Sequence, residues 1–273
     1  PGMGEAAVTV TVTGPNTARA DFALGGTPSV PQYSGTLFLT FDSPIGLTAS
    51  NLNVSAQIVN PSAPALQARL PGGGQVTVPS GFPVMISVNP TTSGGFEFLN
   101  SAEVELYTTT LGFNAAIPYR LYKAPSGGQF YDITEDVLAG SIRCRARTGG
   151  FSDFMMVVDA RSPTEVIEDK YAFLEARLAD DDIEPLTRTA LQLDLDESLE
   201  EFLEGDYSDA REELDDLELR VAATAGTAIP NRWIAGGSLD NIAGSVQSEA
   251  VALDYALRQL IASGGSGGDD DDD

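Results

Sequence analysis

The segment Ser141-Ile142-Arg143-Cys144-Arg145-Ala146-Arg147 places a guanidinium at every second position, with Ile142, Cys144 and Ala146 between them. On a strand the three arginines share one outward face, spaced roughly 7 Å apart, and the apolar set faces a core. Like charges so placed repel unless an anion lies over them. The pattern therefore points to an interface with carboxylates, on this chain or on another copy. A solvated strand that resists edge pairing is the alternative that needs no partner.

Acidic residues are the other candidates. Asp180-Asp181-Asp182, then Asp194 and Asp196 with Glu197, then Glu204-Gly205-Asp206 offer hard oxygen ligands at helix ends. Loose Ca2+ binding is the cofactor expectation they raise. Their spacing lacks the central glycine and closing glutamate of an EF-hand, and a solvated acidic helix face competes with it. Glu103 and Glu105, on one face of a strand, are the carboxylate pair a glycosidase would need. Exposed-face residues explain them better. The chain has no histidine, which excludes Ser-His-Asp and Cys-His catalysis and His-rich zinc sites. Its glycine clusters occur at turn positions and lack the Lys-Ser/Thr of a phosphate loop. No catalytic residue and no firm cofactor emerge, so the expectation is a protein that is not an enzyme.

The elements that would position these residues change character near Ser162. From Val8 to Arg161, period-two alternation recurs: Val8, Val10 and Val12; Leu37, Leu39 and Phe41; Leu52, Val54, Ala56 and Ile58; Val84, Ile86 and Val88. Turn clusters such as Gly14-Pro15-Asn16 and Pro71-Gly72-Gly73-Gly74 separate the runs, which predicts an antiparallel β-sandwich over residues 1–162. From 163 to 262 the period becomes helical, beginning at Ser162-Pro163 with Ile167, Tyr171, Leu174 and Leu178 on one face. A second helix is expected over Glu184–Glu204, led by Leu186, Ala190 and Leu193 and continued by Leu199, Phe202 and Leu203. Asp206 is expected to cap a third helix with Ala210, Leu214, Leu217 and Val221 inward. Ser238 is expected to cap a fourth, with Leu239, Ile242, Val246, Leu253, Leu257 and Leu260 inward. Short connections make this an acidic antiparallel bundle of about four helices. Trp233 is expected as a wedge between helices. Residues 263–273 read as a Gly/Ser linker and Asp tail. The overall class is thus α+β, in two domains.

Three resemblances attach to particular residues. Tyr119–Lys123, Gly127–Thr134 and the final Phe151-Ser152-Asp153-Phe154 strand resemble the closing strands of ZU5-like sandwich modules (an Ig/ZU5-like topology) in bacterial surface proteins. Phe151 and Phe154 would plug one end of the sandwich while Val157 and Val158 finish the core. The helical half resembles the small FIMAH-type domains of secreted bacterial proteins. More broadly, Val59-Asn60-Pro61, Gly81–Val84, Leu121–Pro125, Thr148–Phe154, Val166–Lys170 and Gly226–Pro230 resemble an uncharacterised bacterial secreted-protein family, a domain of unknown function. That resemblance covers most of residues 7–260 and implies export, and it brings no catalytic or binding residue. The Asp tail lies outside it.

Charge distribution narrows the partners. The formal net charge is −25, but residues 1–162 hold 11 acids against 8 bases, and residues 163–262 hold 24 against 7. Such a surface repels nucleic-acid phosphates and anionic lipid. No apolar run is long enough to span a membrane. Cys144 is the sole cysteine, so no internal disulfide forms. The opening Pro1-Gly2-Met3 reads as a mature terminus left after signal-peptide removal. Together these features predict a secreted, extracellular or cell-surface structural or adhesive protein that associates with copies of itself. A filament subunit is one form of this, with Val8, Val10 and Val12 of the first strand and Arg143, Arg145 and Arg147 at the contacts. The alternative is a monomeric module that binds carbohydrate or a cell-surface polymer through Tyr33, Tyr107, Tyr119 and Tyr131.

Overall fold

The computed structural model describes residues 8–27, 29–237 and 240–264. Its strands are β1 (Val8–Val12), β2 (Thr17–Leu24), β3 (Tyr33–Ile45), β4 (Val54–Ile58), β5 (Val76–Thr77), β6 (Val84–Val88) and β7 (Glu97–Gly112). They continue as β8 (Tyr119–Ala124), β9 (Tyr131–Asp132), β10 (Thr134–Leu138), β11 (Ser141–Thr148), β12 (Asp153–Asp159) and β13 (Arg232–Ile234). The helices are the short α1 (Ala49–Leu52) and α2 (Pro64–Gln67), then α3 (Pro163–Leu178), α4 (Pro185–Glu204), α5 (Tyr207–Thr224) and α6 (Ile242–Ala262). The class is α+β.

All strand pairings between these elements are antiparallel. One sheet runs β1-β2-β3-β7-β11-β10, and the other runs β4-β6-β12-β8-β9 with β5 also on β12. Alternation puts Leu37, Leu39, Val104, Leu106, Ile142 and Cys144 of the first sheet in one core with Ile86, Leu121, Phe154 and Met156 of the second. The two sheets therefore pack on each other through their apolar faces. Burial also pushes the Cys144 thiol up to about 12, so it behaves as a small apolar side chain. The second sheet has a further apolar face. Tyr122, Met155 and Val157 pack there with Val76 of β5 against Leu66 and Leu70 from the segment around α2. Val157 thus serves this outer cluster rather than the core between the sheets, because it alternates with Phe154 and Met156 along β12.

Ser162 begins the helical part with a reciprocal cap: its hydroxyl accepts from Glu165 N, and Glu165 accepts from Ser162 N. The helices enclose their own core of Ile167, Leu174, Leu191, Leu214, Leu217, Val246 and Leu253. On α4, however, Leu186 and Leu203 are 79% and 69% exposed, and Leu193 is exposed as well. The buried stripe is Leu191, Leu195, Ser198 and Phe202, with Asp194 beside it. Hydropathy alone misphases this helix because two inward positions are polar. Ser198 bonds the Tyr171 hydroxyl (2.8 Å) and the Ala210 carbonyl (2.7 Å), and Asp194 pairs with Arg220.

Two caps also differ from expectation. Asp206 precedes α5 but makes no side-chain cap bond. Helix α6 is capped by Asn241, whose side chain accepts from Gly244 N; Ser238 and Leu239 lie outside the described residues.

The helical stretch does not leave the sheets alone. Strand β13 pairs with Glu97–Leu99 of β7, beside the span from Ala102 to Gly112 that pairs with β11. Trp233 accordingly sits on the sheet's aromatic cluster, stacked on Phe98 (5.3 Å) and edge-on to Phe151 (5.4 Å), not between helices. Asn100, with a left-handed φ of 51°, joins the two parts of the chain: its backbone N–H donates to Asn231 O (2.7 Å), and its carbonyl accepts from the Asn241 amide. The approach is close enough that a Cβ on Gly244 would lie 2.1 Å from Asn100 O. Helices α3 and α6 then cover the edge where β9 of one sheet runs directly into β10 of the other. Lys170 donates to Asp132 O (2.8 Å), Arg258 to Glu135 O (3.2 Å), and Ser248 to Arg147 O.

Candidate functional sites at the arginine ladder and the sheet–helix junction

The arginine ladder forms as the alternation requires, and its counter-ions come from the same chain. Register places Arg145 opposite Glu105 and Arg147 opposite Glu103 across β11 and β7. Glu105 accepts from both Arg143 (2.9 Å) and Arg145 (2.7 Å), and Arg147 reaches Glu135 at 3.3 Å. Arg143 also covers the Tyr107 ring at 4.6 Å. At the Arg147 end, Glu218 of α5 comes near enough to interact, and burial pushes its carboxyl up to about 7. The guanidinium Nε of Arg147 is buried without an acceptor. An open concavity of about 520 Å³ lies over the ladder, lined by Phe38, Glu103, Glu105, Glu135, Arg143 and Arg145. Three glutamates and two arginines line it, so its charge is mixed and nearly balanced.

Strand β1 is the open edge of the same sheet. Val8 and Val10 pack partly on the core, Val12 is exposed, and the strand pairs only with β2 among the described elements.

The acids expected to hold Ca2+ do not converge. Asp194 is buried and bound bidentately by Arg220 (2.6 and 2.9 Å), while Asp196 is exposed on α4. Asp181 pairs with Arg188 at 3.1 Å, and Asp180 caps its own turn by accepting from Asp182 N. Among the described residues, the acids whose ligand atoms come together are Glu201, Glu204 and Asp206 at the α4–α5 turn. Of the four tyrosines proposed as a sugar platform, Tyr33 and Tyr119 are buried and Tyr107 lies under Arg143. Tyr131 faces Phe173, with ring centroids 4.8 Å apart. With two of the four buried in the core, one under an arginine and one packed partly on the core, they make no common exposed surface.

A second constellation, which composition did not single out, lies where the sheets meet α3 and α6. Asp132 of β9 is buried; its Oδ1 accepts from the Thr134 N–H (2.9 Å) and hydroxyl (2.5 Å). Its Oδ2 lies 3.3 Å from Lys170 Nζ and 4.0 Å from Arg120 Nε, but receives no well-directed hydrogen bond. Attraction there is electrostatic rather than directional. Lys123 of β8 points inward and donates to Thr148 Oγ1 (2.7 Å); burial lowers its ammonium to about 8. Nearby, Arg161 binds Asp159 and the Tyr122 hydroxyl (2.8 Å) and reaches Asp169 on α3.

Glu249 of α6 completes the group. It is 3% exposed, and no described residue hydrogen-bonds or ion-pairs with its carboxylate. Burial raises it to about 7, against the pull of Lys170 and Lys123. A cavity of about 190 Å³ opens beside it. Periodicity could have placed Glu249 on the buried side of α6, since it is flanked by Val246, Ala250 and Leu253. The sequence holds no signal that Asp132, Lys123 and Lys170 meet it there.

Among the described residues, no helix is long and apolar enough to cross a membrane. No curated protein and no solved structure matches the chain. A family model does match, over residues 3–261, and its description is a family of unknown function, DUF6689. The chain belongs to that family.

Proposed function

We propose that this chain is an extracellular, non-catalytic structural or adhesive protein that associates with copies of itself by pairing the open edge of β1. In this reading the two sheets form a sandwich domain and the acidic helices a bundle docked on it. The observation that carries it is the edge itself. Val8–Val12 offers five residues of alternating valine and threonine, with no charge, proline or bulge to discourage a further strand. The opposite edge, β10, is covered by α6. Residues 1–162 are also near neutrality, so two such edges approach with little repulsion. The arginine ladder contributes little to this contact, since Glu105 and Glu135 already answer it. Residues 1–7 and the Asp tail lie outside the described residues.

The test is sedimentation of the full chain over a range of concentrations. Thr11→Lys adds a charge at an exposed edge position and is expected to abolish association while leaving the monomer's melting temperature nearly unchanged. Added salt is expected to strengthen association, because it screens repulsion between two chains of charge −25. Contacts between a ladder and foreign acids predict the reverse. A monomer at every concentration and salt level defeats the proposal.

A further inference from the structure

From the cavity between β9, α3 and α6, we infer that the protein binds a small organic amine, its ammonium against Glu249 and its apolar stem against Val166 and Phe173. The cavity measures about 190 Å³ and is lined by Phe130, Tyr131, Val166, Phe173, Lys170 and Glu249, among others. For scale, an apolar cavity of about 150 Å³ takes a benzene ring. Pro71, Phe130, Tyr131, Val166 and Phe173 give this wall its apolar and aromatic part, and Asp132, Arg161, Asp169, Lys170 and Glu249 supply polar groups that fix orientation.

The choice of a cation follows from which polar groups are already engaged. Lys170 is held by the carbonyl and carboxylate of Asp132. Lys123 is held by Thr148, and Arg177 lies on the far ring of the pair, 5.3 Å from the centre of Phe173. Arg161 is saturated by Asp159, Tyr122 and Asp169. Asp132 lines the cavity too, but its buried Oδ2 already faces Lys170 Nζ at 3.3 Å. Of the three carboxyls that line the cavity, Asp169 pairs with Arg161 and Asp132 with Lys170, whereas Glu249 makes no hydrogen bond or ion pair among the described residues. A buried carboxylate is retained at a cost unless a donor meets it. An ammonium supplies both the donor and the compensating charge, and an apolar stem replaces water along Val166 and Phe173.

Titration gives the inference a second handle. The groups facing Glu249 are Lys170 and Arg177 from α3, Lys123 from β8 and Asp132 from β9. With its carboxyl at about 7, Glu249 is mostly protonated at pH 6 and mostly ionised at pH 8. Amine affinity should therefore rise about tenfold between those two values. The amine remains protonated over that range.

The experiment is an NMR titration of the full chain with benzylamine, benzyl alcohol and Nα-acetyl-lysine amide. Benzylamine is expected to perturb resonances of α3, α6 and β9, at least tenfold more tightly than its uncharged analogue, and more tightly at pH 8 than at pH 6. Glu249→Gln is expected to erase both preferences. The lysine derivative distinguishes the sources of an ammonium: weaker binding than benzylamine supports a free amine, and tighter binding overturns that in favour of a protein side chain. Equal affinity for benzylamine and benzyl alcohol on the native chain, which needs no variant, overturns the inference, as does the absence of any binding.

Discussion

The arginine ladder and the sheet–helix junction are built from the same materials, a few cations and a few carboxylates, and they come out differently. On β11 and β7 the charges face outward, each arginine finds a glutamate, and solvent reaches the pairs. At the junction Asp132, Lys123, Lys170 and Glu249 are all buried, and the matching is incomplete. Exposed pairs are worth little because water and salt already satisfy the charges. Buried charges are held in place by partners whose loss is costly. The contrast teaches that the conspicuous charge pattern is not where charge matters most. Glu249 carries more consequence than the three arginines.

Three measurements bear on that contrast. The largest effect is expected from Lys170→Ala, which leaves the buried Asp132 carboxylate without its closest cation. Urea denaturation should show a loss of about 3–5 kcal/mol, the usual result of removing one partner of a buried pair. A loss below 1 kcal/mol would mean that water or Arg120 compensates, and the junction would then resemble the ladder.

Glu249→Gln should come next, with the opposite sign. The folded protein holds the Glu249 carboxyl at about 7, above its unfolded value of 4.5, so the native state binds the proton more tightly. Its contribution is fully present below about pH 4.5 and is lost as pH rises through about 7. The glutamine variant keeps a neutral group at all pH values. It should match the native chain near pH 4 and exceed it at pH 8, by up to about 3 kcal/mol. Melting temperatures across that range check the slope; parallel curves for the two chains would remove Glu249 as a buried acid.

The smallest change belongs to the ladder. Glu105→Gln unpairs Arg143 and Arg145, yet both remain in contact with solvent. A loss of about 1 kcal/mol or less is expected, and 0.5 M salt should diminish it. A larger, salt-independent loss would show that the ladder is effectively buried, and would erase the contrast.

Much of the fold was legible from short-range pattern. The alternation of Leu37, Leu39 and Phe41 or of Ile142, Cys144 and Ala146 has one satisfactory solution, a strand with one buried face. Ser162-Pro163 followed by Glu165 could hardly be other than a helix start, and α6 begins within a few residues of the expected position, capped by Asn241. Pattern deceives where a polar side chain faces inward. Ser198 and Asp194 conceal the buried stripe of α4, and the exposed leucines at 186, 193 and 203 imitate one. The place of Trp233 is hidden for another reason: a three-residue strand carries too little pattern to announce its partner on β7.

What local order determined is therefore most of the elements, the inward faces of those with apolar stripes, and the absence of histidine chemistry, because these depend on residue type and on spacings of two to four. Long-range contact decided the rest. Glu105 meets Arg145 across 40 positions, Asn241 meets Asn100 across 141, and Lys170 meets Asp132 across 38. Whether a charge is answered or orphaned, and hence whether Glu249 titrates near neutrality, depends on which distant residues burial brings beside it. Residue order within one element carries no record of that neighbour, since desolvation and Coulomb attraction act through space rather than along the chain.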